Sequence, residues 1–479
     1  MSVCYQFWKL RENLASGWCH AELFTVHHLA RPPLGRHQST RLSDAQQCRL
    51  QRLTASQPSQ SIQSEGGTTE LWNEREDQFQ CAGVAALRNT LRPNSLSLPN
   101  FHPAPRLVYI EKGQGLIGIT FPGCAETYHS KSQQSSRGQE EEEQQQQQEE
   151  RGRKSDLHQK VHRFRRGDII ALPAGAAHWC YNDGNEDLVA VSITDLNNQA
   201  NQLDQKLRAF YLAGGVPTQG QQGQNGQQAR ETFQNIFRAF DEELMAEAFN
   251  VPREIVRKMQ QENERGLIVK VREGMRVIRP DEEEEQQQQG PWADESNGLE
   301  ETICSMKIST NIDNRREADI YSRQAGKINI VNQHKLPILQ LLDMSASKGN
   351  LLPNALFTPH WSMNGHNIVY VTRGEAQVQV VGSNGQTVLN ERVNRGNMFV
   401  VPQFYASTVR AGRDGFEWVT FKTTSSPMSS PLAGYTSVFR AMPLQVITNS
   451  YQISPSEAQN LKLSRGGQSY LLSPGRRSS

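Results

Sequence analysis

The sequence predicts a mainly β protein built from two copies of one module, each a sandwich or barrel of short strands closed by a small helical extension. Three observations predict it. Short β-branched runs recur between Gly, Pro, Asn and Asp: "LVYI" (107–110), "LIGI" (116–119), "DIIAL" (168–172) and "LVAVSI" (188–193). Four stretches recur in the same order in both halves of the chain. Three polar tracts separate what remains.

The repeat is read residue by residue. "RLVYIEKGQGLIGI" (106–119) resembles "NIVYVTRGEAQVQV" (367–380), and "RFRRGDIIALPAGAAHW" (163–179) resembles "RVNRGNMFVVPQFYAST" (392–408). "LAGG" at Leu212 answers "LAGY" at Leu432, and "IFRAFDEELMAEAFNV" (236–251) answers "VFRAMPLQVITNSYQI" (438–453). The offset between copies drops across two of the polar tracts, which are therefore insertions into the first copy. In the helical extension, Phe233, Phe237, Phe240, Leu244 and Ala248 fall at helical spacing, as either a core stripe or a face for oligomer contact.

The polar tracts span 131–156, 214–232 and 279–298 and are rich in Gln, Glu, Gly and Arg. They lack the apolar surface needed to offset the entropy of ordering and are expected to be disordered. The expected organisation is a leader (1–40), a first domain (41–270) carrying the first two tracts, an acidic linker (271–298), a second domain (299–470) and a flexible tail (471–479).

Charge divides the chain in the same place. Residues 298–479 carry 18 Lys+Arg against 11 Asp+Glu, and residues 1–297 carry 33 against 39, within a net charge of +1. The basic excess is modest and scattered, which argues against nucleic acid as a partner. No apolar run approaches ~18 residues, so no membrane span is expected. Seven cysteines, at 4, 19, 48, 81, 124, 180 and 304, include no CxxC pair, so a zinc ribbon is not expected. The first 30 residues lack the unbroken apolar core of a secretory signal, being interrupted by Lys9, Arg11, Glu12 and Glu22.

One motif addresses chemistry. Gly167, Pro173, Gly175, His178 and Asn182 fit G-x5-P-x-G-x2-H-x3-N, which resembles the second signature of the cupins, a family of jelly-roll β-barrels. In metal-bearing cupins this histidine is one of four ligands. The resemblance puts the other three at Asn100, His102 and Arg106. In the second module they fall on Trp361, Met363 and Asn367, with Ser407 in place of the histidine, and His360 and His366 out of register. A catalytic first-row metal normally has three or more protein ligands. Two imidazoles beside an arginine, and none in the second module, read as vestiges (His102, His178). No catalytic residue, cofactor or metal is expected. G-x-S-x-G, H-E-x-x-H and Walker patterns are absent from the sequence.

"NGLEETICSMK" (297–307) resembles the processing junction of legumin-type 11S globulins, the two-cupin storage proteins of seeds. The resemblance covers residues from about 41 to the end. It implies a nutrient reservoir rather than an enzyme, made as a trimer and cut between Asn297 and Gly298 by an asparaginyl endopeptidase. The acidic and basic chains would then assemble as a hexamer in the protein storage vacuole. It also implies two disulfides, Cys48–Cys81 within the acidic chain and Cys124–Cys304 across the cut. Arg-rich composition (14 of the 51 basic residues are Lys) and Gln-rich tracts suit nitrogen storage. The alternatives are a metal-dependent cupin enzyme and a cupin that carries a small ligand in its barrel.

Overall fold

The computed structural model describes residues 48, 50–126, 128–129, 157–216, 233–261, 265–272, 275, 303–313 and 318–474. The leader, most of the three polar tracts, Asn297, Gly298, Cys4 and Cys19 lie outside the described residues.

In the first module, alternating apolar residues form two sheets that close over one core. The first sheet runs Gln60–Ser64, Gly67–Leu71, Val84–Leu91, Leu188–Asp195, Arg106–Lys112, Asp168–Leu172 and Ser309–Asn311 in spatial order. The second is led through Phe233–Asn235, Ala209–Tyr211, Ser95–Phe101, Ala177–Asn182, Gln114–Thr120 and Val161–Arg165, with Ile268–Lys270 also on Ser95–Phe101. Leu107, Ile169 and Val191 of the first sheet share a buried cluster with Leu98, Ile117 and Phe164 of the second. Each fully buried aliphatic or aromatic side chain stabilises the fold by roughly 1.5–3 kcal/mol.

The second module is the same barrel drawn with longer strokes. Asn367–Val381 and Ala406–Lys422 each run through both layers, bending where their register shifts between Val371 and Arg373 and between Gly374 and Ala376. All ten strands therefore belong to one sheet. The duplication is visible in the hydrogen bonds. Gly167 N–H donates to Ile110 O and Gly396 N–H to Val371 O, each glycine at a turn with positive φ (+87° and +84°) that a side chain would strain. Leu212 N–H donates to Pro99 O as Leu432 N–H does to Pro359 O.

The two modules exchange arms. Ser309–Asn311, which follows the third polar tract, pairs with Asp168–Ile170 at the edge of the first barrel. Reciprocally, Leu53 N–H donates to Val388 O and Ser56 bridges Met398, so the N-terminal segment lies on the second barrel. Leu50, Leu53 and Cys81 are counted in that barrel's core. A strand crossing the module boundary was not visible in the sequence, because a three-residue edge strand leaves no periodicity. Disulfides join Cys48 to Cys81 and Cys124 to Cys304. Cys180 is a free thiol whose burial raises its pKa to about 12, so it stays protonated and inert.

The Phe-rich stripe does not form one helix. Phe233 is buried in a strand, Asn235 accepts from Phe237 N–H to start a 3-10 turn over Ile236–Ala239, and Asp241 caps a separate helix, Glu242–Phe249. Two caps within seven residues break the helical period that the spacing suggested. Phe240 (53%), Leu244 (64%) and Phe249 (49%) are left exposed, and Val446, Tyr451 and Leu461 are similarly exposed in the second extension.

Between the barrels the first sheet of module one packs on its counterpart, and the apolar cluster runs through Tyr109 and Tyr370 without a break. Two cations cross the contact at equivalent ladder positions. Arg88 faces Val191 and reaches the Tyr370 hydroxyl (3.5 Å), while Lys348 faces Val419 and donates to the Tyr109 hydroxyl (3.0 Å). Glu70 holds Arg88 in a paired contact (2.7 and 3.0 Å), and Asp313 holds Lys348 (2.5 Å). Asp313 lies on the crossing arm, so the arm is tied to both barrels at once. Replacing Lys348 by Met is expected to destabilise the protein by about 1–3 kcal/mol in urea titrations, since it unpairs the buried Tyr109 hydroxyl and frees the arm. An unchanged midpoint would show that this contact is idle.

Candidate functional site: the two barrel interiors

A cupin metal would sit inside the barrel, so the four ligand positions decide whether one fits. In module one they converge: Asn100, His102, Arg106 and His178 line one small cavity of about 70 Å³. Asn100 lies opposite His178 on the neighbouring strand, and the His102 and His178 rings are 5.6 Å apart. Both rings are anchored to backbone, His102 Nδ1 at 2.9 Å from Arg208 O and His178 Nδ1 at 3.2 Å from Ala176 O. The His102 Nε2 atom is buried without a partner.

The fourth position decides against a metal. Arg106 is buried, donates from Nε to Thr194 Oγ1 (2.9 Å), and places its terminal nitrogen 3.2 Å from His102 Nδ1. A guanidinium there repels a cation where a carboxylate would attract one. Burial lowers the Arg106 pKa to about 10, still far above neutrality. Burial, and then Arg106, lower the His178 pKa to about 4, and the same two causes hold His102 well below its ordinary value. Both rings are therefore neutral, and the cavity carries one positive charge. Among the described residues no group of three or more His, Cys, Asp or Glu could hold a metal ion.

In module two the structure corrects the register. His360, not Trp361, lies opposite Ser407, as Asn100 lies opposite His178. Phe404 N–H donates to Ser362 O as Gly175 N–H donates to His102 O, so Ser362, not Met363, stands where His102 stands. The cause is one extra residue in the loop 363–366 relative to 103–105, which the Tyr-to-Tyr alignment could not place. The four positions are thus His360, Ser362, Asn367 and Ser407. His360 Nδ1 lies 2.9 Å from Thr358 O, and burial lowers its pKa to about 4. One imidazole is still too few to hold a metal.

A cation survives here as well, on the other side of the same rung. In module one Arg106 faces Thr194; at the equivalent pair in module two Asn367 faces Lys422. Lys422 donates to Asn367 Oδ1 (2.6 Å), and burial lowers its pKa to about 8. No motif points to Lys422, because its counterpart Thr194 lies outside the cupin signature.

The fold that carries these interiors is shared with known proteins. The Cupin family model matches residues 53–218 and 310–459. An 11S globulin seed storage protein 2 from Sesamum indicum is 66% identical over 448 residues, covering 93% of this chain and 96% of the relative. The chain belongs to the 11S globulins. Among solved structures, the coconut allergen cocosin superposes with a TM-score of 0.77 at 39% identity, covering 89% of this chain and 100% of that one. A recombinant pro-11S globulin of pumpkin gives 0.75 at 39%, covering 90% and 100%. The relatives carry the names of storage proteins, and this 11S globulin is a non-enzymatic seed storage cupin. No helix among the described residues is long and apolar enough to cross a membrane.

Two outcomes are expected. Wild-type protein dialysed against Zn²⁺ or Mn²⁺ should retain well below one ion per chain by elemental analysis, whereas Arg106→Glu should retain more, having gained a carboxylate beside His102 and His178; equal retention would contradict the charge argument. Because the folded-state pKa of His178 lies below its unfolded value of about 6.5, its contribution is present above pH 6.5 and is lost as pH falls towards about 4. The loss approaches roughly 3 kcal/mol at the limit. Urea midpoints between pH 7 and 4 should therefore fall less steeply in His178→Gln than in wild type.

Proposed function

We propose that this storage globulin is made as a trimeric precursor and cut between Asn297 and Gly298 by an asparaginyl endopeptidase. The resulting acidic and basic chains stay linked through Cys124–Cys304 and stack as a hexamer in the protein storage vacuole. The observation that carries the reading is the arm exchange. Ser309–Asn311 of the basic side is built into the acidic-side barrel, and residues 53–56 of the acidic side are built into the basic-side barrel. A scission within the intervening tract would leave every described strand pairing intact. The disulfide adds a covalent tie between residues 180 positions apart.

Assembly is supported by the exposed apolar residues on both helical extensions, an arrangement that a second and third copy would bury. A precursor stage is in keeping with the pumpkin pro-11S globulin that this chain resembles. The interior chemistry fits storage: two closed barrels with neutral histidines need no turnover, and the Arg-rich composition supplies nitrogen.

Protein purified from seed and run on denaturing gels should give one species without reductant and two with it. The smaller band should begin Gly298-Leu299-Glu300 on N-terminal sequencing. An uncut chain in mature seed, or a different start, would overturn the processing site.

A further inference from the structure

A lysine amine is a nucleophile only as the free base, and a carboxylate beside it favours the protonated form. Lys422 has no such neighbour. It ends the strand Ala406–Lys422, and its Nζ donates to Asn367 Oδ1 (2.6 Å). No Asp or Glu is among the residues that line the interior around it. Burial lowers its pKa to about 8. At pH 7 that leaves roughly two orders of magnitude more free amine than in an ordinary lysine titrating near about 10.4.

The amine borders open space. The cavity in the C-terminal barrel measures about 220 Å³, against about 70 Å³ in the N-terminal one. Apolar cavities of about 150 Å³ admit a benzene-sized molecule, so a small organic molecule fits beside Lys422. Most of the wall is apolar, with Val369, Val378, Phe399 and Trp418 among its residues. The polar groups gather at the lysine end. Alternation along Ala406–Lys422 places Trp418, Thr420 and Lys422 on one face, with Ser347 opposite Thr420 and Asn367 opposite Lys422. Pro427 and Ser429 in the lining flank the exposed Met428, so the cavity reaches the surface at that segment.

We propose that Lys422 captures a small apolar aldehyde as an imine, the carbonyl at Nζ and the aldehyde's chain along the apolar wall. The Nζ lone pair bonds to the carbonyl carbon, and the carbonyl π pair moves to oxygen. A proton then passes from nitrogen to that oxygen, giving a carbinolamine. The hydroxyl and the second nitrogen proton leave as water, and a C=N bond remains. Nothing is oxidised or reduced. The hydroxyls of Thr420 and Ser347 share the face of Lys422, where they can donate to the oxygen as it gains charge. The apolar wall selects the chain, because an aldehyde carrying hydroxyls would bury them unpaired. The absence of a carboxylate means that no ion pair has to break to free the amine. Capture is stoichiometric, with no turnover.

The test treats the full chain at pH 7 with hexanal and cyanoborohydride, which reduces an imine to a stable secondary amine. Peptide mass spectrometry then locates the adducts among the 14 lysines. Lys422 is expected to react at least about tenfold faster than the exposed Lys206 and Lys270, and to lose that lead in urea-unfolded protein. Glyceraldehyde, which offers the same carbonyl on a hydroxylated chain, should show no preference for Lys422. Val378→Phe fills the cavity and keeps Lys422. It should bring Lys422 down to the rate of the exposed lysines, with folding checked by the urea midpoint. Lys422 reacting no faster than Lys206 would overturn the proposal, and so would an equal preference with glyceraldehyde. Both comparisons use wild-type protein, so they decide the matter even if Val378→Phe does not fold.

Discussion

A guanidinium or ammonium enclosed in a β-barrel costs several kcal/mol unless a neighbour answers its charge. Each barrel of this globulin contains one, on the two sides of a single ladder rung: Arg106 facing Thr194, and Lys422 facing Asn367. That cation fixes what the interior can do. It repels a divalent metal, it adds to the burial that keeps the nearby imidazoles neutral, and its own polar partners are a hydroxyl, Thr194 Oγ1, and an amide oxygen, Asn367 Oδ1. The interiors are unsuited to a metal not merely through a shortage of ligands; each also holds a positive charge.

The two barrels meet this constraint differently. In the first, the guanidinium spreads its charge over Thr194 and the edge of His102, and the space around it is nearly filled. In the second, a compact ammonium with one amide partner stands beside a space three times as large. Arginine's planar fork can distribute several contacts in a tight interior, whereas lysine presents a point charge. The duplicated scaffold has therefore diverged inside while the contact between its halves has stayed symmetric. Arg88 and Lys348 still occupy matching positions and still reach across to Tyr370 and Tyr109.

Much of this was legible in the chain. Strands such as "DIIAL" and "LVAVSI" announce themselves through β-branched runs bounded by turn residues. The convergence of His102, Arg106 and His178 follows from the cupin signature. What the chain did not disclose has physical reasons. One extra residue within 363–366 moved His360 into the barrel, and no local pattern marks where a loop takes up an insertion. The Phe stripe kept helical spacing across Asn235 and Asp241, yet their side-chain caps divided it. Lys422 and Ser309–Asn311 matter through long-range pairing, which propensity does not encode.

The swapped arms carry a last consequence. Each barrel borrows an edge segment from the sequence on the far side of the tract at 279–298. Were the connection in that tract severed, the N-terminal piece would lack the edge strand Ser309–Asn311 and the C-terminal piece would lack the segment bridged at Ser56 and Met398. Reduction of Cys124–Cys304 would then let the two pieces part, and their reunion would need a bimolecular encounter in place of an intramolecular one. The native shape would then be an inheritance from the unbroken chain, most durable while the disulfide holds the pieces together.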